Sequence, residues 1–391
     1  MRLRLSLLLL CLALTACAPQ RYYNIPGTNS VGSLGEPYTE FRGVAASSPA
    51  DIWAVGVTHA PALDLPAIQH WDGKAWSSVA VAPNGGRPDV VNAVSTVGPR
   101  NAWAVGYSAG KEGHQEDVLI EHWDGRTWSV VSAPNPSQGW NELDDVLALS
   151  ATNVWAVGYA KDELPAIIKG NTKLPPSRPT PARVLVEHWD GKSWSMVDAP
   201  SPGTNWNQLA SVAGGGPKDI WAVGWQQDDG PQRALVERWD GRAWSVMTSV
   251  PHALQLRAVA SISGTCSWVA GAMDRPGIVE RWDGSAWISI PAPALTESAE
   301  LWGMSAMTCD DVWLAGDLVG GKGQPLLERW DGASWTSITS PGGVSAGRLS
   351  AVLSLSAHDV WIFGTRQAAQ PLTLIEHWDG SAWTVIPAPA A

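Results

Sequence analysis

The chain has 391 residues, 26 basic against 37 acidic side chains, a net charge of −11, 45% hydrophobic residues, 25 tryptophans and four cysteines. So acidic a surface repels nucleic acid and anionic lipid headgroups, which excludes both as partners of a folded body. Four cysteines are too few for a disulfide-built scaffold, whereas the apolar fraction is ample for a core.

At the N-terminus, Arg2 and Arg4 precede an apolar run from Leu5 to Leu14, followed by Thr15, Ala16 and Cys17. The run is too short to span a bilayer as a helix and has the length and charge of a secretory signal. Its ending, Leu14-Thr15-Ala16-Cys17, resembles a bacterial lipobox. That resemblance implies a lipoprotein signal peptide over 1–16, lipidation at Cys17 and a lipidated N-terminus and linker over 17–40. The mature protein would sit at the cell membrane, facing the extracytoplasmic side and touching the bilayer through its lipid anchor only. Two or three acyl chains, at about 0.8 kcal/mol per buried CH₂, anchor a protein stably. Losing Arg2 and Arg4 with the signal leaves 24 basic against 37 acidic side chains, a net charge of −13.

From Phe41 onward one unit repeats seven times: W-x-x-G, a variable stretch, then W-D-G-x-x-W. The first Trp falls at Trp53, Trp103, Trp155, Trp221, Trp268, Trp313 and Trp361. The W-D-G Trp falls at Trp71, Trp123, Trp189, Trp239, Trp282, Trp330 and Trp378, and the third follows five residues later, from Trp76 to Trp383. Repetition without a break argues for one closed body over 41–391 rather than several domains. In the third copy, 143–149 is a small, aliphatic run and Val154-Trp155-Ala156-Val157-Gly158 follows a polar turn. Val184 to Trp189 comes next, and Trp194 to Val197 follows Asp190-Gly191. These read as four short strands, A to D. Asp-Gly supplies the positive-φ position of a tight C-D hairpin, so its two flanking Trp should face each other. A sheet apolar on both faces must be covered by the next, and a ring of such sheets is a β-propeller. The expected fold is therefore all-β, a seven-bladed β-propeller of four-stranded antiparallel blades.

The W-x-V-G strand followed by D-G-x-x-W resembles the repeat of the photosystem II assembly factor propellers and, more loosely, the Asp-box of sialidase-type propellers. It is similar above all to bacterial extracytoplasmic propeller proteins built from W-A-V-G and H-W-D-G units. The resemblance covers some 350 residues and implies the fold. The chain departs from the assembly factor in having one Gly rather than two in the C-D turn. Tyr22-Tyr23-Asn24-Ile25-Pro26 looks like a stray strand D, belonging either to the seventh blade or to the linker.

Up-and-down strands put the A-B and C-D turns on one face and the B-C and D-A loops on the other. The separation from strand B Trp to strand C Trp ranges from 14 residues in the fifth unit to 34 in the third, so the B-C/D-A face carries the variation and is the candidate binding face. Trp140, Trp206 and Tyr38 share one position there, three residues before the first apolar residue of strand A. Tyr107, Tyr159 and Trp225 share another, directly after the strand B Gly. With Asn141 and Asn207 beside them, these aromatics have the composition of a site for a sugar or an extended peptide. The alternative is that each ring caps its own blade or plugs a loop. The Pro-rich insertion 161–183 reads either as a flap over these aromatics or as a surface loop.

Little else carries chemistry. Gly343-Val344-Ser345-Ala346-Gly347 matches G-x-S-x-G but lies between strands with no helix to follow. His70, His122, His188 and His377 alternate with Arg238, Arg281 and Arg329 around the ring, which suits pairing with acids such as Glu121 or Glu280 between blades rather than catalysis. No metal-binding spacing is present and no cofactor or catalytic residue is assigned. Strand A brings Glu40, Glu142, Asp144 and Glu300 to the central mouth beside Arg42, Arg257 and Arg348, where paired carboxylates would suit glycoside hydrolysis. Cys266, two residues before Trp268, and Cys309, four before Trp313, are read either as a disulfide or as two buried thiols. The expected function is a monomeric, non-enzymatic binder of a glycan, peptide or envelope protein. A carbohydrate-active enzyme at the mouth and a structural or assembly scaffold are its rivals.

Overall fold

A computed structural model describes residues 37–61, 64–111, 114–162, 180–247, 255–272, 277–291, 299–318, 323–339 and 347–389. Seven antiparallel sheets of four strands each follow one another, all with strands in the order A-B-C-D. Blade 1 consists of A (Tyr38–Ser48), B (Asp51–His59), C (Leu65–Trp71) and D (Trp76–Ser78). Blades 2 to 7 run from strand A at Asp89–Gly98, Trp140–Ser150, Trp206–Gly216, Gln255–Ser263, Ala299–Thr308 and Gly347–Ser356. The protein is a seven-bladed β-propeller. Its first strand starts at Tyr38, three residues ahead of the apolar Phe41, because Tyr38 and Thr39 already pair with His59 and Thr58. The Tyr22-to-Pro26 segment, Cys17 and most of the 161–183 insertion lie outside the described residues, as does the G-x-S-x-G stretch up to Ala346.

Two glycines of the repeat have structural duties. The W-x-x-G glycine faces a bulge in strand A: register slips between Phe41 and Gly43 in blade 1, and a Cβ on Gly56 would lie 2.0 Å from the Glu40 carbonyl oxygen. In the C-D hairpin Gly73 adopts φ 89°, and Asp72 Oδ1 accepts from the N–H groups of Lys74 and Ala75, both at 2.9 Å. The hairpin sets the two Trp opposite each other, with centroids 5.9 Å apart for Trp71 and Trp76.

Six of the seven strand B Trp then enter the C-D Trp pair of the following blade. Trp53 lies 5.0 Å from Trp123 and 5.1 Å from Trp128, and Trp155 lies 4.9 Å from Trp239 and 5.7 Å from Trp244. The last such contact joins Trp361 of blade 7 to Trp71 and Trp76 of blade 1, and Phe41 meets Phe363 beside it at 5.6 Å. Among the described residues the ring therefore closes by side-chain packing between two complete blades, with no strand exchanged.

The strand C His and Arg stack on the Trp of their own blade, as His70 does on Trp53 at 4.3 Å and Arg238 on Trp221 at 4.8 Å. Their side-chain partner is not the expected strand C glutamate. It is the Asp or Asn two residues before the strand B Trp in the same blade: His70 to Asp51 at 2.7 Å, His377 to Asp359 at 2.8 Å and Arg329 to Asp311 at 3.0 Å. The glutamates alternate to the opposite side of strand C and are buried between blades. Blade 5 has Cys266 at the Asp position. Its Arg281 instead approaches Asp310 of blade 6 at 3.9 Å, while a disulfide joins Cys266 to Cys309 across the same seam.

Candidate functional site

The bulge in strand A turns one residue per blade out of the ladder: Arg42, Asn92, Asp144, Ala210, Arg257, Trp302 and Ser350. Several of these meet neighbours across blade seams. Arg42 donates to Asn92 Oδ1 at 2.9 Å, and Asn92 donates to the Leu143 carbonyl at 3.0 Å. Trp302 lies between Arg257, 4.4 Å from its ring centroid, and Arg348, 3.9 Å away, and its indole N–H donates to Asp317 Oδ1 at 2.6 Å. The two Arg that flank Trp302 come from strands A of blades 5 and 7, a relation that sequence reasoning missed. The signal was present, because all three stand one residue past the first apolar residue of strand A, or directly before it.

On the blade 3 and 4 side the expected aromatics separate into two kinds. Trp140 and Trp206 start strands A of blades 3 and 4, are half-buried, and share one cation: Lys161 Nζ stands 5.6 Å from the Trp140 centroid and 4.7 Å from that of Trp206. Trp140 and Lys161 are direct partners across strands A and B. Tyr159, 4% exposed, packs 5.0 Å from Trp206, and Trp225 is only 1% exposed, so neither presents an open ring face to solvent. Tyr107 is half-buried on blade 2, opposite Val90. Tyr38 stacks on His59 at 4.8 Å in blade 1, two blades from Trp140. His59 also approaches Glu40 at 3.5 Å, and hydrogen bonding to that carboxylate raises its pKa against the opposing effect of burial.

The polar residues chosen from the sequence hold loops. Asn141 Oδ1 accepts from Ser137 N at 2.8 Å, while its amide donates to the carbonyls of Ser137 and Glu116 at 2.7 and 3.0 Å. Asn207 does the same for Gly203 N, at 2.6 Å, and for the carbonyls of Gly203 and Ala182, at 2.8 and 2.9 Å. Both are buried, and each fixes a loop residue, Ser137 or Gly203, that stands three positions before Trp140 or Trp206.

The acids of the mouth are committed in the same way. Glu142 Oε1 accepts from the Tyr159 hydroxyl at 2.7 Å. Asp144 Oδ2 accepts from Gln208 Nε2 at 2.6 Å, and Gln208 Oε1 in turn accepts from the Trp206 indole at 3.1 Å. Each carboxylate is 4% exposed. Next to them Asp145 is fully buried and accepts from the N–H groups of Val146 and Val212, both at 2.8 Å, stitching blade 3 to blade 4; burial nonetheless pushes its pKa well up. Among the described residues no group of three or more His, Cys, Asp or Glu side chains is arranged to hold a metal ion.

No protein-family model matches the chain, and no curated protein sequence matches it. Solved structures do. YCF48 bound to D1 peptide aligns with a TM-score of 0.57 at 15% identity, over 89% of this chain and 99% of that one. The WD40 β-propeller domain of Doa1 aligns with a TM-score of 0.51 at 12% identity, over 88% and 94%. SapL1 lectin in complex with alpha methyl fucoside reaches a TM-score of 0.41 at 15% identity, over 92% and 98%. At these identities the likeness shows the propeller fold and nothing finer.

Proposed function

We propose that this chain is a lipid-anchored, extracytoplasmic binding propeller, monomeric and non-enzymatic, that takes a glycan, a peptide or an envelope protein on its B-C/D-A face at the seam of blades 3 and 4. The observation that carries the reading is the pair Trp140 and Trp206. These two half-buried rings are held by hydrogen-bonded loops and offer flat apolar area beside polar groups. The buried, hydrogen-bonded state of Glu142 and Asp144 favours binding over hydrolysis at the mouth, because a glycosidase needs its carboxyls open to the scissile bond. Anchoring rests on Leu14-Thr15-Ala16-Cys17 alone.

The test is to present the detergent-solubilised full chain to glycan and peptide arrays, alongside its Trp140→Ala and Trp206→Ala variants. Capture of one ligand class that both substitutions abolish, at unchanged unfolding midpoint, is the expected result; capture undiminished in both variants overturns the site. Labelling cells with an alkynyl fatty acid tests the anchor: the label should follow the wild-type chain and be absent from Cys17→Ser, and equal labelling of both removes the lipobox reading.

A further inference from the structure

Lys161 is the last residue of strand B in blade 3, and its unbranched side chain is half-buried. Its ammonium occupies the space between a ring of its own blade, Trp140, and a ring of the next blade, Trp206. One wall of this slot is fixed independently of the lysine. Trp206 is tied through its indole N–H to Gln208, which is tied to Asp144, and Tyr159 packs on Trp206 while bonding Glu142. Two half-buried rings present flat π faces to the ammonium, and a third aromatic, Tyr159, packs on Trp206. That is the chemistry which holds an ammonium group better than a neutral one of the same shape. The chain's net charge of −11 acts in the same direction at longer range.

We propose that the Trp140–Trp206 slot is a cation-binding cage for an alkylammonium group, and that Lys161 occupies it as an internal surrogate in the ligand-free protein. The inference deepens the binding reading of this face and rests on it. A ligand enters by displacing the lysine, whose own charge then returns to solvent. Its source is either the side chain of a lysine-bearing peptide or a quaternary ammonium headgroup, and both present the same charge to the rings. Lys161 thereby sets the threshold for binding: a ligand must compete with a tethered ammonium already at high local concentration.

Calorimetric titration with choline, with N-acetyl-lysine amide and with 3,3-dimethylbutanol, the uncharged isostere of choline, tests this. Lys161→Ala should bind choline or the lysine amide at least tenfold more tightly than the wild type, and the tighter of the two identifies the source. The neutral isostere should bind neither protein. Adding Trp206→Ala or Trp140→Ala to Lys161→Ala should remove the gain, measured on proteins whose unfolding midpoint matches that of Lys161→Ala. Equal affinity of the wild type and Lys161→Ala, or binding of the isostere as tight as choline, overturns the cage. Should the cage fail while both Trp→Ala variants still lose array capture, the face reading survives and only the ligand class falls. Capture that persists in both variants removes the face reading itself.

Discussion

Trp361 in the seventh blade lies 5.0 Å from Trp71 in the first, at an interplanar angle of 60°. Trp53 and Trp123, which join blades 1 and 2 within the chain, have the same separation and the same angle. The seam where the ring closes is therefore built like an internal one, although the residues it joins are far apart in sequence. Elsewhere the pattern weakens: Trp313 of blade 6 meets Trp383 of blade 7 at 6.2 Å, and Trp383 is less buried than Trp76, Trp128 or Trp194.

Removing a buried Trp from a packed core costs about 3–5 kcal/mol. Trp361→Ala should fall in that range and match Trp155→Ala within experimental error, whereas Trp313→Ala should cost less than either. Chemical denaturation of the three variants is the check. A Trp361→Ala loss far below that of Trp155→Ala would mean that the closing seam contributes little.

The strand C glutamates lead to a pH dependence. Glu121 is relieved by one hydrogen bond, from Ala82 N at 3.2 Å, and burial raises its pKa to about 7. Blades 2 and 3 place Pro134 and Pro200 at the same distance after the strand D Trp, and proline has no N–H to give. Both oxygens of Glu187 and of Glu237 accordingly have no hydrogen-bond partner among the described residues, and burial raises each pKa to about 8 from an ordinary 4.5. A carboxyl whose pKa is higher in the fold than in the unfolded chain contributes stability that is complete below about 4.5 and is lost as pH rises through about 8. Unfolding free energy should thus fall between pH 5 and pH 8.5. Glu187→Gln with Glu237→Gln, which copies the buried Gln69 of blade 1, should flatten that fall by on the order of 3 kcal/mol or more per site. A slope unchanged in the double variant would show that these two carboxyls do not carry it.

The disulfide between Cys266 and Cys309 closes a loop with a sequence separation of 43 across the seam of blades 5 and 6. Loop-closure entropy for that length gives about 4 kcal/mol. Reduction, or Cys266→Ala with Cys309→Ala, should lower the unfolding free energy by roughly that amount. Comparing thermal unfolding with and without reductant measures it, and the double variant should be indifferent to reductant.

The blades were legible in the sequence because the repeat encodes backbone needs: Asp-Gly for a turn with positive φ, W-x-x-G where a bulge leaves no room for a Cβ, and Trp at fixed spacing to fill the seams. The candidate face was chosen from loop length. What each polar residue does there was not legible. Asn141, Asn207, Glu142 and Asp144 stand close to half-buried aromatics in the chain, yet strand A is buried on both faces from its second residue, and a buried amide or carboxyl must spend its hydrogen bonds on the protein. The cation between the two Trp was equally hidden, since Lys161 and Trp140 are 21 residues apart and meet only through strand register.

The two asparagines separate these roles experimentally. Asn207→Ala strips partners from Gly203 N and from the carbonyls of Gly203 and Ala182, two buried residues in separate loops. Unsatisfied buried groups of this kind cost about 1–3 kcal/mol together with local disorder. The Gly203 loop leads through Asn205 into Trp206, so freeing it also lets the ring leave the position that Gln208 holds. The expectation is a lower unfolding free energy and weaker ligand capture together, with Asn141→Ala doing the same through Ser137 and Trp140. A residue that merely touched ligand would lose capture at unchanged stability. Finding that pattern for Asn207→Ala would return the asparagine to the ligand-contacting role that the sequence alone suggested.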